Sequence, residues 1–349
     1  MSLRSDLFAT GIRRLGGPRN GFRFRRANGK PISSADAHRI EALRIPSTLT
    51  DVHIASSPNE RLQAIGRDPA GRWQYLYRRS HTARRSRTRF DRLIAFGEAL
   101  PQLRRVLARD LARPGLPREK ALACAVALLT TCWLRPGTEI YAAENGSFGL
   151  ATLRDRHVAV EGASIRLDFR GKHGQRQRHE MRDRKLARIV VLMQALPGDE
   201  VFKFREPSGT VRDLRSKHLN GYIKQVLGEQ FSARYFRTWG GTLLCAGVLA
   251  RAARRTTAAM AGTPQGARLH HAAVANALRE TAARLGNTVE ACRRAYVHPG
   301  VLRAFERGRT VSTALLRPEA LIVGHQAGLD RSERALLVLL RRERSARAP

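Results

Sequence analysis

Acid is what this 349-residue chain has least of. It carries 29 aspartates and glutamates against 64 lysines and arginines, for a formal net charge of +35 and a pI near 11.6. A surplus that large repels itself in isolation, so it implies a polyanionic partner. Nucleic acid fits first, because each neutralised phosphate releases condensed counterions; an anionic membrane surface fits second. The scarcity of carboxylates also narrows the chemistry. No paired-carboxylate motif, Gly-rich phosphate loop, HExxH or GxSxG occurs, so attack on a phosphodiester would have to use side chains alone, without carboxylates to hold magnesium.

Long apolar runs are missing too. The longest uncharged one, residues 121–134, is 14 residues long, too short to cross a bilayer. The opening MSLRSDLFATGIRRLGG has no apolar core of signal-peptide length, which argues against secretion. Four cysteines (Cys124, Cys132, Cys245, Cys292) form no CxxC pair and sit among apolar residues. That reads as reduced, buried thiols in a cytoplasmic protein, with neither a disulfide framework nor a zinc site. Lysine is scarce as well: seven residues (30, 120, 172, 185, 203, 217 and 224), leaving 57 arginines. A GC-rich genome is the plain cause. Each lysine is still informative, because arginine cannot serve where a proton must leave the side chain.

What is present is a globular composition, 42% hydrophobic and 27% charged, without internal repeats or low-complexity tracts. Residues 1–80 hold short alternating segments at 21–25, 51–54 and 73–77 that read as strands. RRSHTARRSRTR, at 78–89, has six arginines and no acid; it reads as a basic linker lying along phosphates or as a solvated face. Helical periodicity then dominates, with 90–100 and 102–111 separated by Pro101, and 120–134 apolar nearly all round, as a central buried helix. Between 156 and 182 the period switches to two, giving a small antiparallel sheet with turns at Glu161 and Gly162 and at Lys172, His173 and Gly174. Further helices are expected at 184–195, 216–227, 232–252, 268–284, 289–296 and 300–307, then at 318–326 and 331–344. The expected fold class is α+β: a small β-rich N-terminal domain over 1–86, a larger, mostly helical domain over 87–310 carrying a β-hairpin, and a basic helical tail over 311–349.

Four segments supply what displacement at a phosphodiester needs. Arg135 lies in LRPGTEIY at the end of the buried helix, Lys172 in the turn RGKHG, Arg237 in FRTW, and Tyr296 in LGNTVEACRRAYVHP, with Asn287 nine residues before it. Two guanidinium forks match the charge that grows on the equatorial phosphate oxygens. A phenol is a competent nucleophile if its proton is removed during attack. The departing sugar oxygen needs an acid, which lysine can be and arginine cannot. Taken singly, an arginine at a helix end is ordinarily a solvated charge, and a lone helical tyrosine is ordinarily packing.

The conjunction Arg135, Lys172, Arg237, Asn287 and Tyr296, each inside its local motif, resembles the type IB DNA topoisomerases, in their small bacterial and poxvirus-like branch. GRDPAGRWQYLY (66–77), the segment 89–120, ENGSFGLATLRDRHV (144–158), FRGK (169–172), FRTWGGT (236–242) and the segment 285–299 resemble that family in order, covering about residues 10–305. The resemblance implies Tyr296 as nucleophile, Arg135, Lys172 and Arg237 as the basic triad, and Asn287 as a neutral fourth transition-state donor. It implies contacts to double-stranded DNA from Arg67, Arg72, Gln74, Tyr75, Tyr77 and Tyr141, and two domains closing as a clamp around the duplex. It further implies a monomer that relaxes supercoils without ATP, metal, membrane or obligate protein partner, on the nucleoid in the bacterial cytoplasm. Pro136, Thr138, Arg234 and Tyr235 depart from the family's usual residues. A tyrosine recombinase is the second reading, although such enzymes favour His where Arg234 stands; a non-catalytic architectural DNA-binding protein is the third.

Overall fold

The computed structural model describes residues 3–78, 88–253, 263–311 and 328–346. The arginine run at 78–89 lies almost wholly outside the described residues, and the helix expected at 318–326 lies wholly outside them. The chain divides into two compact units, Met1–Thr88 and Arg89–Pro349.

The first unit is built on one antiparallel sheet. Its elements in order are α1 (Leu3–Thr10), β1 (Ile12–Gly17), β2 (Gly21–Arg25), α2 (Ser34–Ala42), β3 (Thr50–Ile54), β4 (Leu62–Arg67) and β5 (Trp73–Tyr77). The strands pair in the order β2-β1-β3-β4-β5. Because strand side chains alternate between faces, the sheet feeds two cores. Ile12, Val52, Ile54 and Ala64 meet Ile40 of α2, whereas Ala55, Ile65 and Trp73 meet Leu7 of α1. β4 is therefore buried from Leu62 to Gly66 and lacks the polar-apolar alternation of a half-exposed strand, so the sequence reading passes it over.

The second unit begins with α3 (Leu93–Leu111) and α4 (Arg118–Cys132), followed by a short α5 (Glu139–Asn145). The expected break at Pro101 does not occur, and α3 runs through it. A proline inside a helix costs ~3 kcal/mol. Against that stand Leu93, Phe96, Leu100, Leu103 and Leu107, all buried along one stripe, each worth about 1.5–3 kcal/mol. Burial of the stripe wins. α4 is buried almost throughout from Ala121 to Leu129, as its all-round apolar sequence requires.

β6 (Val158–Glu161), β7 (Ser164–Arg170) and β8 (Arg176–Arg182) form the expected three-stranded antiparallel sheet, and Lys172–Gly174 makes one 3₁₀ turn between β7 and β8. Then come α6 (Arg184–Gln194), the ribbon β9 (Lys203–Arg205) and β10 (Val211–Asp213), α7 (Ser216–Leu227), α8 (Ala233–Ala253), α9 (Pro264–Leu285), α10 (Val289–Ala295), α11 (Pro299–Glu306) and α12 (Arg331–Ser345). α12 belongs to the core: Leu336, Leu337, Leu339 and Leu340 are buried in the same cluster as α3 and α8. Glu333 of α12 accepts from Arg104 of α3 (2.8 Å) and Trp239 of α8 (3.3 Å). Among the described residues, no helix is long and apolar enough to cross a membrane.

Candidate active site

The site is assembled where α4, α8 and the loop before α10 meet. α4 ends at Trp133, which holds a left-handed conformation (φ 49°), a state that costs a bulky side chain ~1–2 kcal/mol. Its surroundings fix it there. A Cβ on Gly240 of α8 would lie 2.3 Å from Trp133 Nε1, so only glycine admits the indole. The Trp133 carbonyl, in turn, accepts from Nη1 of Arg237. The turn at Trp133 redirects the chain, so Arg135 leaves the helix and reaches the loop ahead of α10. There its Nη2 donates to the Gly286 carbonyl (3.2 Å) and to Asn287 Oδ1.

Arg237 is 3% exposed, and its Nη2 donates to the Leu285 carbonyl at 2.7 Å. Two backbone carbonyls thus hold one guanidinium group, while its Nε is buried without a partner. The Nδ2 of Asn287 is likewise buried and unpartnered. Buried donors ordinarily find acceptors. Both orphaned donors belong to residues of this one site, and each has a hydrogen bond left to give to an acceptor.

Tyr296 caps the C-terminal end of α10. The segment FRTWGGT supplies its seat. Gly241 comes so close that a Cβ there would lie 2.9 Å from the Tyr296 carbonyl oxygen. Thr242 Oγ1 donates to that carbonyl (3.2 Å) and accepts from the His298 N–H (3.0 Å). The ring lies under two guanidinium groups, Arg237 with Cζ 5.1 Å and Arg234 with Cζ 5.4 Å from its centroid. Burial alone would push the phenol up, but Arg237, Arg234 and Arg135 outweigh it and lower it to about 8.

The same field acts on the other cations. Arg237 is lowered to about 10, by burial first and then by Arg135. Lys172, at the tip of the β7–β8 turn, keeps an exposed side chain, yet lost hydration and then Arg135, Arg234 and Arg237 pull its ammonium below the ordinary lysine value. The field extends to His179 of β8, lowered to about 4 by burial, Arg284 and Arg237.

Arg135, Lys172, Arg237, Asn287 and Tyr296 therefore converge in one unit. Arg234 joins them, at a position where the sequence departs from the family's usual residue. It precedes Arg237 by three residues, so the two share a helix face. Of the other expected contact residues, Tyr141 lies exposed on α5, and the rest lie in the first unit. Arg67 stacks on Trp73 with Cζ 4.3 Å from the ring centroid; Arg72 and Gln74 both donate to Asp68 Oδ2 at 2.9 Å. Tyr75 is half-buried with the α1 core, and Tyr77 is exposed. Alternation along β5 puts Gln74 on the opposite face of the sheet from Tyr75 and Tyr77. One buried lysine has a structural answer: Lys203 donates to the carbonyls of Leu196 and Gly198, both at 2.7 Å. Among the described residues, no group of three or more His, Cys, Asp or Glu side chains could hold a metal ion.

A family model described as eukaryotic DNA topoisomerase I, catalytic core, matches residues 78–306. A second, described as bacterial DNA topoisomerase IB, N-terminal domain, matches residues 21–68. The chain is 30% identical over 283 residues to DNA topoisomerase 1B of Acanthamoeba polyphaga mimivirus, covering 80% of this chain and 82% of that protein. To DNA topoisomerase 1B of Vaccinia virus (strain Copenhagen) it is 26% identical over 137 residues, 38% of this chain and 44% of that protein. The chain belongs to the type IB DNA topoisomerases.

Proposed function

We propose that this chain relaxes supercoiled double-stranded DNA by cutting one strand, letting it swivel, and resealing it, with Tyr296 as the nucleophile. The observation that carries the reading is the phenol itself: Tyr296 lies under Arg237 and Arg234 and is lowered to about 8, so its proton is lost to solvent far more readily than an ordinary tyrosine's.

The phenol oxygen attacks a backbone phosphorus, and a Tyr–O–P bond forms as the bond from phosphorus to the 5′-oxygen breaks. Arg135 and Arg237 neutralise the charge that builds on the non-bridging oxygens, and the free Nδ2 of Asn287 donates to one of them. Lys172 gives its proton to the departing 5′-oxygen; its lowered pKa makes it a stronger acid than a free lysine. The product is a 3′-phosphotyrosyl link and a 5′-hydroxyl. After swivelling, the 5′-hydroxyl attacks the same phosphorus, Lys172 takes back the proton, and the phenolate leaves. Each step exchanges one phosphoester for another, so the bond energy stays in the chain and the cycle draws on neither ATP nor metal. Arg67, Arg72, Gln74, Tyr75, Tyr77 and Tyr141 are assigned to contacts with the duplex, where a charge of +35 supplies affinity through counterion release. The protein acts as a monomer on the nucleoid.

The test is relaxation of supercoiled plasmid in EDTA without ATP. Full relaxation by monomeric protein supports the proposal. Site-specific strand exchange would make it a recombinase, and salt-sensitive binding without relaxation would make it an architectural protein.

A further inference from the structure

The turn that carries Lys172 and the loop that carries Asn287 belong to different elements, and one side chain lies between them. Gln177 of β8 is 8% exposed. A Cβ on Gly171, the residue before Lys172, would lie 2.8 Å from Gln177 Cγ. A Cβ on Gly286, the residue before Asn287, would lie 2.3 Å from Gln177 Nε2 and 2.6 Å from its Oε1. The stem of the side chain therefore touches one glycine and its amide rests on the other. Neither contact survives a larger residue at either glycine without movement. The far side of the Gly286 contact is the catalytic loop, since the Gly286 carbonyl accepts from Arg135 and Asn287 Oδ1 accepts from the same guanidinium group. On the near side, the Gly171 N–H donates to the Gln175 carbonyl at 2.8 Å, so the turn is closed on itself.

We propose that Gln177 is a positioning residue that docks the Lys172 turn on the Gly286–Asn287 loop and so holds the ammonium at the leaving oxygen. The inference rests on the proposed role of Lys172 as general acid. An exposed lysine at a hairpin tip has many rotamers. Fixing the base of the turn to the loop that holds Arg135 restricts where the ammonium travels. Gln177 does not meet the reacting atoms itself; it acts through Lys172.

The experiment is single-turnover cleavage by Gln177→Ala, Lys172→Ala and the double variant, on ordinary duplex and on duplex whose 5′-bridging oxygen is sulfur. A thiolate leaves without protonation, so a defect confined to the acid disappears on sulfur. Gln177→Ala is expected to slow cleavage of ordinary DNA by about 10–10²-fold, the scale of a misplacement near 1 Å. It is expected to recover on the sulfur substrate and to cost nothing further in the Lys172→Ala background. Gly171→Ala provides an independent lever: its φ of −92° is open to alanine, and the added methyl presses on Gln177 alone among near neighbours closer than 3.0 Å. Its defect is expected to shrink when Gln177→Ala is added. Equal slowing of both substrates by Gln177→Ala, or full additivity with Lys172→Ala, overturns the proposal. If Lys172→Ala itself gains nothing from sulfur, the acid assignment falls; additivity in the double variant then decides whether Gln177 still acts through the lysine.

Discussion

Removing Arg234 is the perturbation that best isolates how the site activates its phenol. Arg234 is exposed, with its Cζ 5.4 Å from the centroid of the Tyr296 ring. A unit charge at that distance is worth about 1–3 kcal/mol between water-like and protein-like screening. One pH unit corresponds to ~1.36 kcal/mol, and solvent screening of an exposed arginine favours the lower end. Arg234→Ala should therefore move the phenol up from about 8 by about one pH unit. The sign follows from the proposal that the phenolate is the attacking form: at pH 7 the reactive fraction falls from about one in ten to about one in a hundred. Cleavage should slow about tenfold at pH 7 and little above pH 9.5. Lys172 feels the same charge with the opposite consequence: losing a neighbouring cation lifts its ammonium back toward the ordinary value, so the alkaline limb moves up as well. The assay is the rate of covalent adduct formation under single turnover across pH 6–11, with salt as a second axis because exposed charges are screened. A loss of equal size at every pH, with both limbs unmoved, would refute the electrostatic argument and make Arg234 a contact to DNA.

Other outcomes follow from the same geometry. Arg135→Lys keeps the charge but cannot span the Gly286 carbonyl, Asn287 Oδ1 and a phosphate at once. Single-turnover cleavage should drop by about 10²–10³, and near-wild-type rates would exclude a forked contact. Gly241→Ala puts a Cβ 2.9 Å from the Tyr296 carbonyl oxygen; it should reduce cleavage at least tenfold, by order of magnitude, while DNA affinity measured by filter binding holds. Glu333→Gln removes the charge opposite Arg104, whose side chain is only 14% exposed. Chemical denaturation should show a loss of about 3 kcal/mol, and an unchanged midpoint would show that α12 is not tied to the core through that pair.

Much of the fold is legible in the sequence, because its signals are local. α7 falls on Ser216–Leu227 and β5 on Trp73–Tyr77, both at the expected bounds, since each is a short periodic run between turn residues. The failures share a cause, which is burial decided from outside the segment. Pro101 reads as a break until the stripe from Leu93 to Leu107 is given a core to enter. β4 hides because both its faces are covered. β9 and β10, of three residues each, carry too few positions to show a period. α12 reads as a basic appendage, although its leucines at 336, 337, 339 and 340 trace one helix face. For the site, Arg135, Lys172, Arg237, Asn287 and Tyr296 stand out through their motifs and not through any local pattern. Arg234 does not, because its place over the ring depends on α8 and α10 meeting across more than 50 residues of chain. The glycines of FRTWGGT are a motif in sequence, but their reason is steric and lies elsewhere, in the Trp133 indole and the Tyr296 backbone.

Tyr296 is proposed as the group that joins DNA. Incubating Tyr296→Phe with end-labelled duplex, quenching with detergent and resolving protein-bound label tests it most directly. The variant keeps the ring under Arg237 and Arg234 and loses one oxygen, a negligible share of an interface dominated by phosphate contacts. It is expected to bind duplex with nearly unchanged affinity, form no covalent adduct and leave supercoiled plasmid untouched. An adduct or relaxed plasmid from this variant would show that a group other than Tyr296 attacks the phosphate.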